Sequence, residues 1–359
     1  MRRPLRITVD LSALRHNLTQ LRSLAPDLPT FAVIKADAYG HGAPQVATAL
    51  SDLTTGFAVV TPEEGVELRE AGIKNPILVM QGVREGADWR VLENAGLMGG
   101  IHRPDQIDSL RAHIDAGGQT VGVWLKFDTG MGRLGLNDAE AAQWLAEVQG
   151  IAGVQVKGVM THFACADEPT HPATPAQLAR IDSHLATLNS ELSLANSAAL
   201  LHWPEARRGW LRPGIALYGA NPAWPIAAPV DLRPAMTATA PIISVRRHAR
   251  GATIGYGNTY TCQEDSVIAY VACGYGDGYP RHVATDTPVL INATRCPIVG
   301  RVSMDSIAVD VTHVDGVSEG VIATLWGEGL PVEEIADRAG TISYELTCQI
   351  RGRREYRAG

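Results

Sequence analysis

The sequence predicts an α/β protein in two parts, a (β/α)8 TIM-type barrel over residues 1–231 and a mainly β domain over residues 232–359. Three observations carry this reading. Short apolar runs alternate with polar-apolar helical patterns about eight times in the first two-thirds of the chain, the number a parallel barrel needs. Residues capable of chemistry stand where those runs stop: Lys35, Lys126 with Asp128, His162, Asn196-Ser197 and Arg212. In a barrel such ends converge on one face, where barrel enzymes keep their active sites. Beyond residue 231 the pattern changes to short β-rich runs between turn residues, with a single clear helical patch.

In chain order, Leu11, Leu14, Leu18, Leu21 and Leu24 recur at helical spacing behind the candidate caps Asp10 and Ser12, and Pro26 closes the segment. Phe31 to Ile34 then run straight into Lys35, and glycines flank His41, which reads as a buried strand emptying into a loop. A lysine at such a strand end is open to pKa depression by burial, the condition an amine nucleophile or base needs; a lysine that snorkels to solvent is the bland alternative. A helix is expected over residues 43–50, a strand over 57–60, and a helix opened by Thr61-Pro62-Glu63-Glu64 with proline in its first turn. Further strands are expected over 77–80, 97–101, 121–125, 154–160 and 192–195, with the eighth near 214–217 opened by Arg212. Ser197 and Gly214 at the last two ends offer a hydroxyl and backbone N–H groups in the quadrant where barrels frequently bind phosphate. In the second domain strands are expected over 238–245, 266–272, 288–291, 297–302 and 307–311, and a helix over 331–339. Two glycine-tyrosine clusters, around Tyr256 and around Tyr275, read as loops with aromatic tips.

A chain of 359 residues, 45% hydrophobic and 19% charged, is long enough to bury two cores. Its net charge of -7 argues against a nucleic-acid surface. The N-terminal arginines are followed by Ile7-Thr-Val-Asp10 where a signal peptide would carry an apolar stretch, so neither export nor a membrane partner is expected. The five cysteines are scattered with no C-x-x-C pair, which predicts no disulfide framework, no metal site and a reducing cytoplasm.

The chemistry-bearing stretches are Lys35-Ala-Asp-Ala-Tyr39-Gly-His-Gly, Lys126-Phe-Asp-Thr-Gly-Met-Gly-Arg133, Thr161-His162-Phe-Ala, Asn196-Ser197, Arg212-Pro-Gly-Ile-Ala-Leu-Tyr-Gly219, Tyr256, Gly274-Tyr-Gly-Asp-Gly and Gly300-Arg-Val-Ser-Met304-Asp305. In this order and spacing the chain resembles the alanine racemases, fold-type III enzymes that use pyridoxal phosphate (PLP). The resemblance implies a homodimer with shared active sites and the supply of D-alanine for peptidoglycan. It implies that Lys35 carries PLP on its amine, that Tyr39 and Ser197 with the backbone of Gly214 and Ile215 hold the phosphate, and that His162 packs against the ring. It sets Arg212 against the pyridine nitrogen, where most PLP enzymes place a carboxylate; a permanent cation there keeps the electron sink weak, as suits an enzyme that must return a proton to Cα. Arg133 is implied to bind the substrate carboxylate, and Lys126 to be a carbamylated lysine that orients it. Racemisation needs a base on each side of Cα, and the resemblance assigns these to Lys35 and to Tyr256 of the other subunit. A phenol is a poor base at neutral pH unless positive charge favours its phenolate. Tyr275 and the backbone of Met304 are implied to line the substrate entry, with Asp305 in support.

Departures from the family pattern are Ser193, where relatives usually carry a histidine that supports the arginine, Ser303 in place of a cysteine, and the tail around Gly352, to which no role is carried over. A serine reaches less far than a histidine, which puts the support of Arg212 in question. Two competing readings are a serine or broad-specificity racemase, since a pocket built for a methyl can hardly reject an added hydroxyl, and a non-catalytic PLP-binding barrel, against which the second domain and Tyr256 argue.

Overall fold

Seven parallel strands lie side by side in chain order: Phe31–Val33, Gly56–Val59, Ile77–Val79, Met98–Ile101, Val121–Asp128, Val154–Met160 and Leu192–Ser193. They belong to a computed structural model of the chain, which describes residues 3–119 and 121–358. The stretch 210–213 closes the ring: Trp210 N–H donates to Leu192 O at 2.7 Å, and Phe31 and Val33 donate to Leu211 O and Pro213 O at 2.8 and 2.9 Å. The architecture is therefore the expected (β/α)8 barrel. The eighth position differs in detail. Ile215–Tyr218 is a turn of 3-10 helix, and Arg212 lies in the closing stretch before it. Pro213 lacks the N–H a longer strand would need, so the backbone pairs for only a few residues and then turns.

Local chemistry accounts for the helices. The Asp10 carboxylate accepts from the N–H groups of Ser12 and Ala13 at 2.8 and 3.0 Å and so caps Leu11–Ser23, whose Leu14, Leu18 and Leu21 are fully buried. Thr61 and Glu64 form a reciprocal capping box on Pro62–Glu70. Inside the barrel Phe31 stacks on Trp210 at 4.3 Å and meets Trp124 edge-on at 5.7 Å. Each such ring contributes roughly 1.5–3 kcal/mol by leaving water.

The second sheet runs Thr294–Pro297, Pro288–Ile291, Ile322–Trp326, Met236–His248, Arg6–Asp10, Arg353–Arg357, and Ser266–Val271 pairs with both Met236–His248 and Ile307–Asp310. Four of the five expected β runs find strands here, whereas residues 298–302 hold only an isolated bridge between Ile298 and Val309. Ile322–Trp326 and Arg353–Arg357 are strands that local pattern did not announce. So is Arg6–Asp10: a boundary at 231 assigns it to the barrel, yet it pairs antiparallel with Met236–His248 and parallel with Arg353–Arg357. A second helix, Ser343–Gln349, follows the expected one at Val332–Arg338. Both chain ends are thus woven into one β domain, and a continuous core runs from Leu5 and Ile7 through the barrel to Trp326. Among the described residues all five cysteines are free, and no helix is long and apolar enough to cross a membrane.

Candidate active site

The C-terminal ends of the barrel strands open into a cavity of about 560 Å³. It is lined by Lys35, Tyr39, Lys126, Arg133, His162, Asn196, Ser197, Arg212, Gly214 and Ile215, so ten of the residues singled out in the sequence meet in one place. Tyr256, Tyr275 and Met304 do not line it. They sit at tips of the β domain, 67%, 39% and 53% exposed.

Lys35 follows the strand Phe31–Val33, and the chain then makes an unusual left-handed turn: Ala36, Asp37, Ala38 and Tyr39 have φ of 52, 53, 53 and 53°. For residues with a Cβ this costs roughly 1–2 kcal/mol each, so the turn persists only because its surroundings hold it. Ala36 N–H donates to Glu64 Oε1 at 2.7 Å, which makes a helix-capping residue a brace for the lysine. The Asp37 carboxylate accepts from Ala43 N–H at 2.8 Å and pairs with Arg354. Gly40 follows at φ 82°, where a Cβ would overlap the carbonyl oxygen of Thr347; only glycine fits both the conformation and the space. Burial, and then the charge of Arg133, lower the pKa of Lys35 from its ordinary value.

Ser197, Gly214 and Tyr39 form another part of the cavity wall. The Ser197 hydroxyl accepts from Gly214 N–H at 2.8 Å and from Ala216 N–H at 3.2 Å, and a Cβ on Gly214 would come within 2.5 Å of the Tyr39 hydroxyl. A serine hydroxyl held by two backbone N–H groups and a phenol therefore stand together at the start of a helical turn, a place where an anion can be held.

Arg212 is almost fully buried and, among the described residues, has no carboxylate partner. Its Nη1 donates to Ser193 O and Oγ at 2.6 and 2.5 Å, and its Nη2 to Thr161 O at 2.5 Å and Leu194 O at 3.3 Å. Burial lowers its pKa to about 10, which still leaves it charged at neutral pH. The doubt raised by Ser193 is removed here. The serine is close enough to accept from the guanidinium while its own hydroxyl donates to Trp210 O at 2.6 Å, because strand Leu192–Ser193 lies directly beside the closing stretch.

The cations of the cavity act on one another. Burial first, then Arg212, Arg133 and Lys35, lower Lys126 to about 8. Burial and the same cluster hold His162 neutral, well below its ordinary pKa. His162 is set through Gln177, a residue the sequence did not single out. Gln177 Oε1 accepts from Ala164 N–H at 2.9 Å, while its Nε2 donates to His162 O at 3.0 Å and Thr129 Oγ1 at 3.1 Å, and Thr129 meets Thr161 at 2.8 Å. The Arg133 loop is shaped by Asp128, whose Oδ1 accepts from the N–H groups of Gly130, Met131 and Gly132 at 2.9, 2.8 and 3.1 Å.

The chain's tail also reaches the cavity: Thr341, Ile342, Ser343 and Tyr344 line it. The one local signal for this segment is the helical recurrence of Ser343, Leu346, Thr347 and Ile350 after Gly340. In the β domain, Tyr275 N–H donates to Ser303 O at 3.1 Å and Gly276 N–H to Met304 O at 2.9 Å, and Arg3 pairs with Asp277 and Asp305. Tyr275, Met304 and Asp305 therefore belong to one braced corner.

Comparison with known proteins matches residues 9–222 to the N-terminal domain of alanine racemases and residues 235–358 to their C-terminal domain. The chain belongs to the alanine racemase family. An alanine racemase of Thioalkalivibrio sulfidiphilus is 50% identical over 359 positions, with 98% of each chain covered. The crystal structure of the biosynthetic alanine racemase from Pseudomonas aeruginosa superimposes with a TM-score of 0.94 at 42% identity, covering 99% of this chain and 100% of that one. That of the alanine racemase from Bartonella henselae, described with covalently bound pyridoxal phosphate, does so with 0.90 at 28% identity, covering 99% of each. The cavity of this family member fits such a group: a lysine amine of lowered proton affinity, serine and tyrosine hydroxyls that can hold a phosphate, and a buried guanidinium on the same wall.

Proposed function

We propose that this chain is a PLP-dependent alanine racemase that interconverts L- and D-alanine by two bases and supplies D-alanine for peptidoglycan. The observation that carries the reading is the meeting, in one cavity, of Lys35 with a phosphate seat and with an Arg212 whose partners are all neutral oxygens. When bound, PLP supplies the electron sink that acidifies the substrate Cα–H. Lys35 anchors it and, its proton affinity lowered by burial, moves the proton on one side of Cα, taking it from the D-enantiomer. Tyr256 of a second copy takes the proton from the L-enantiomer on the other side. Arg212 presents a fixed positive charge instead of a carboxylate, which keeps the sink weak and favours return of the proton over loss of a carboxylate. Tyr39, Ser197, Gly214 and Ile215 hold the phosphate, and neutral His162 offers its flat ring face.

Arg133 and the backbone of Met304 take the substrate carboxylate, with Tyr275 at the entry and Asp305 bracing it through Arg3. Lys126, lowered to about 8, carries an amine neutral often enough to add CO2: an N–C bond forms, a proton leaves, and the resulting carbamate gives Arg133 an anionic partner. The exposure of Tyr256, Tyr275 and Met304 outside the cavity supports a homodimer in which each copy completes the other's site. Five free thiols support a cytoplasmic location. The test is to incubate the purified protein and PLP with each L-amino acid and measure D-product. D-Alanine is expected as the main product, and its absence overturns the reading.

A further inference from the structure

His41 stands outside the cavity lining, yet it is completely buried directly behind the left-handed turn. Its Nδ1 lies 3.0 Å from both Ala38 O and Tyr39 O. Carbonyl oxygens only accept, so Nδ1 must carry a proton. Among the described residues Nε2 has no hydrogen-bond partner, as suits the unprotonated nitrogen of a neutral ring, and His41 lies with Trp326 on the wall of a small pocket. The His41 ring lies against Tyr218 at 4.4 Å, and the Tyr218 hydroxyl donates to Val33 O at 3.0 Å, on the strand that leads into Lys35. Tyr218 also packs on the Tyr39 ring at 4.9 Å. One imidazole thus grips the end of the turn by its carbonyls while its ring neighbour grips the beginning.

We propose that His41 is a positioning residue: neutral, with its proton on Nδ1, it locks the left-handed turn and so fixes where Lys35 and Tyr39 stand relative to each other. Burial lowers its pKa to about 4, in keeping with a ring that stays uncharged. The proposal rests on the PLP reading for its binding consequence, since the turn sets the spacing between the covalent anchor and the phosphate seat, but not for the tautomer.

Substitutions separate a hydrogen-bonding role from packing. Asparagine places an amide N–H near the position of Nδ1, whereas phenylalanine keeps the ring and its contact with Tyr218 but donates nothing. In the PLP-loaded protein, H41F is expected to weaken PLP retention roughly tenfold, read from visible absorbance after dialysis, while H41N stays within about threefold of the parent. The reverse order, phenylalanine tolerated and asparagine not, would mean packing alone and overturn the proposal. Independently, nitrogen NMR of the histidine-labelled parent, with His41 assigned through its contact to the Tyr218 ring, is expected to show the neutral Nδ1–H form. An Nε2–H or doubly protonated ring sinks the proposal even where a variant fails to fold. A parent that binds no PLP at all but shows the Nδ1–H tautomer would overturn the cofactor reading and leave the lock standing.

Discussion

Lys126→Met is the perturbation whose sign reports most directly on the charge cluster. Four cations, Lys35, Lys126, Arg133 and Arg212, share the cavity, and Lys126 is the one lowered to about 8 from an ordinary 10.5. At about 1.36 kcal/mol per pKa unit, holding that ammonium in place costs on the order of 3 kcal/mol. The sign follows from proton counting. Below about pH 8 the folded and unfolded chains both carry the proton, and the full cost is present. Between about 8 and 10.5 the unfolded chain binds more protons than the folded one, so stability rises with pH and the cost disappears. Methionine keeps the length and removes the charge. In PLP-free protein and CO2-free buffer, urea denaturation at pH 7 should therefore show the variant more stable than its parent by roughly 2–3 kcal/mol, a gain that fades toward pH 10. In bicarbonate the order should invert, because a carbamate on Lys126 would turn the costly cation into a partner for Arg133. A variant that is less stable at pH 7 without CO2, or a difference that ignores pH, would refute the electrostatic account. Equal behaviour with and without bicarbonate would refute the carbamate.

Three further outcomes are expected. Tyr256→Phe should abolish racemisation while leaving PLP bound, and mixing its subunits with those of Lys35→Ala should restore activity through hybrid sites; no restoration would argue against shared sites. Ser193→Ala removes the donor to Trp210 O and one of four acceptors of Arg212, and should cost about 1–2 kcal/mol of unfolding free energy together with a lower kcat; an unchanged midpoint would mean the serine is idle. Gln177→Leu leaves buried groups of the His162 loop unpaired, a loss on the order of 2 kcal/mol, and should shift the visible absorbance of bound PLP, which a remote core defect would leave alone.

The barrel and the contents of its mouth were legible in the sequence for a physical reason. Strands buried on both faces read as unbroken apolar runs, and a run must stop where the backbone reaches the loop face, so Lys35, Lys126 and His162 announce themselves by ending one. The helix caps at Asp10 and Thr61 were legible because capping is a contact between neighbours in the chain. The eighth position was misread because Arg212 and Pro213 sit in a stretch paired for only a few residues, too short to show a period.

What only the tertiary structure decided depends on contacts between distant residues. Arg6–Asp10 joins the second sheet because strands some 230 and 350 positions along the chain flank it. Ser193 supports Arg212 because strand order brings the two within 2.5 Å, whatever the length of the side chain. The turn after Lys35 is left-handed, against the preference of Ala36, Asp37 and Ala38, because Glu64, Arg354 and Thr347 close around it from three other segments. The sequence by itself determined which groups are present and which face of the barrel they occupy, since both are properties of local order. Where those groups stand relative to one another was decided by the fold, since strain of several kcal/mol in one turn is held by partners from several segments, Glu64 nearby and Thr347 and Arg354 some 300 residues away.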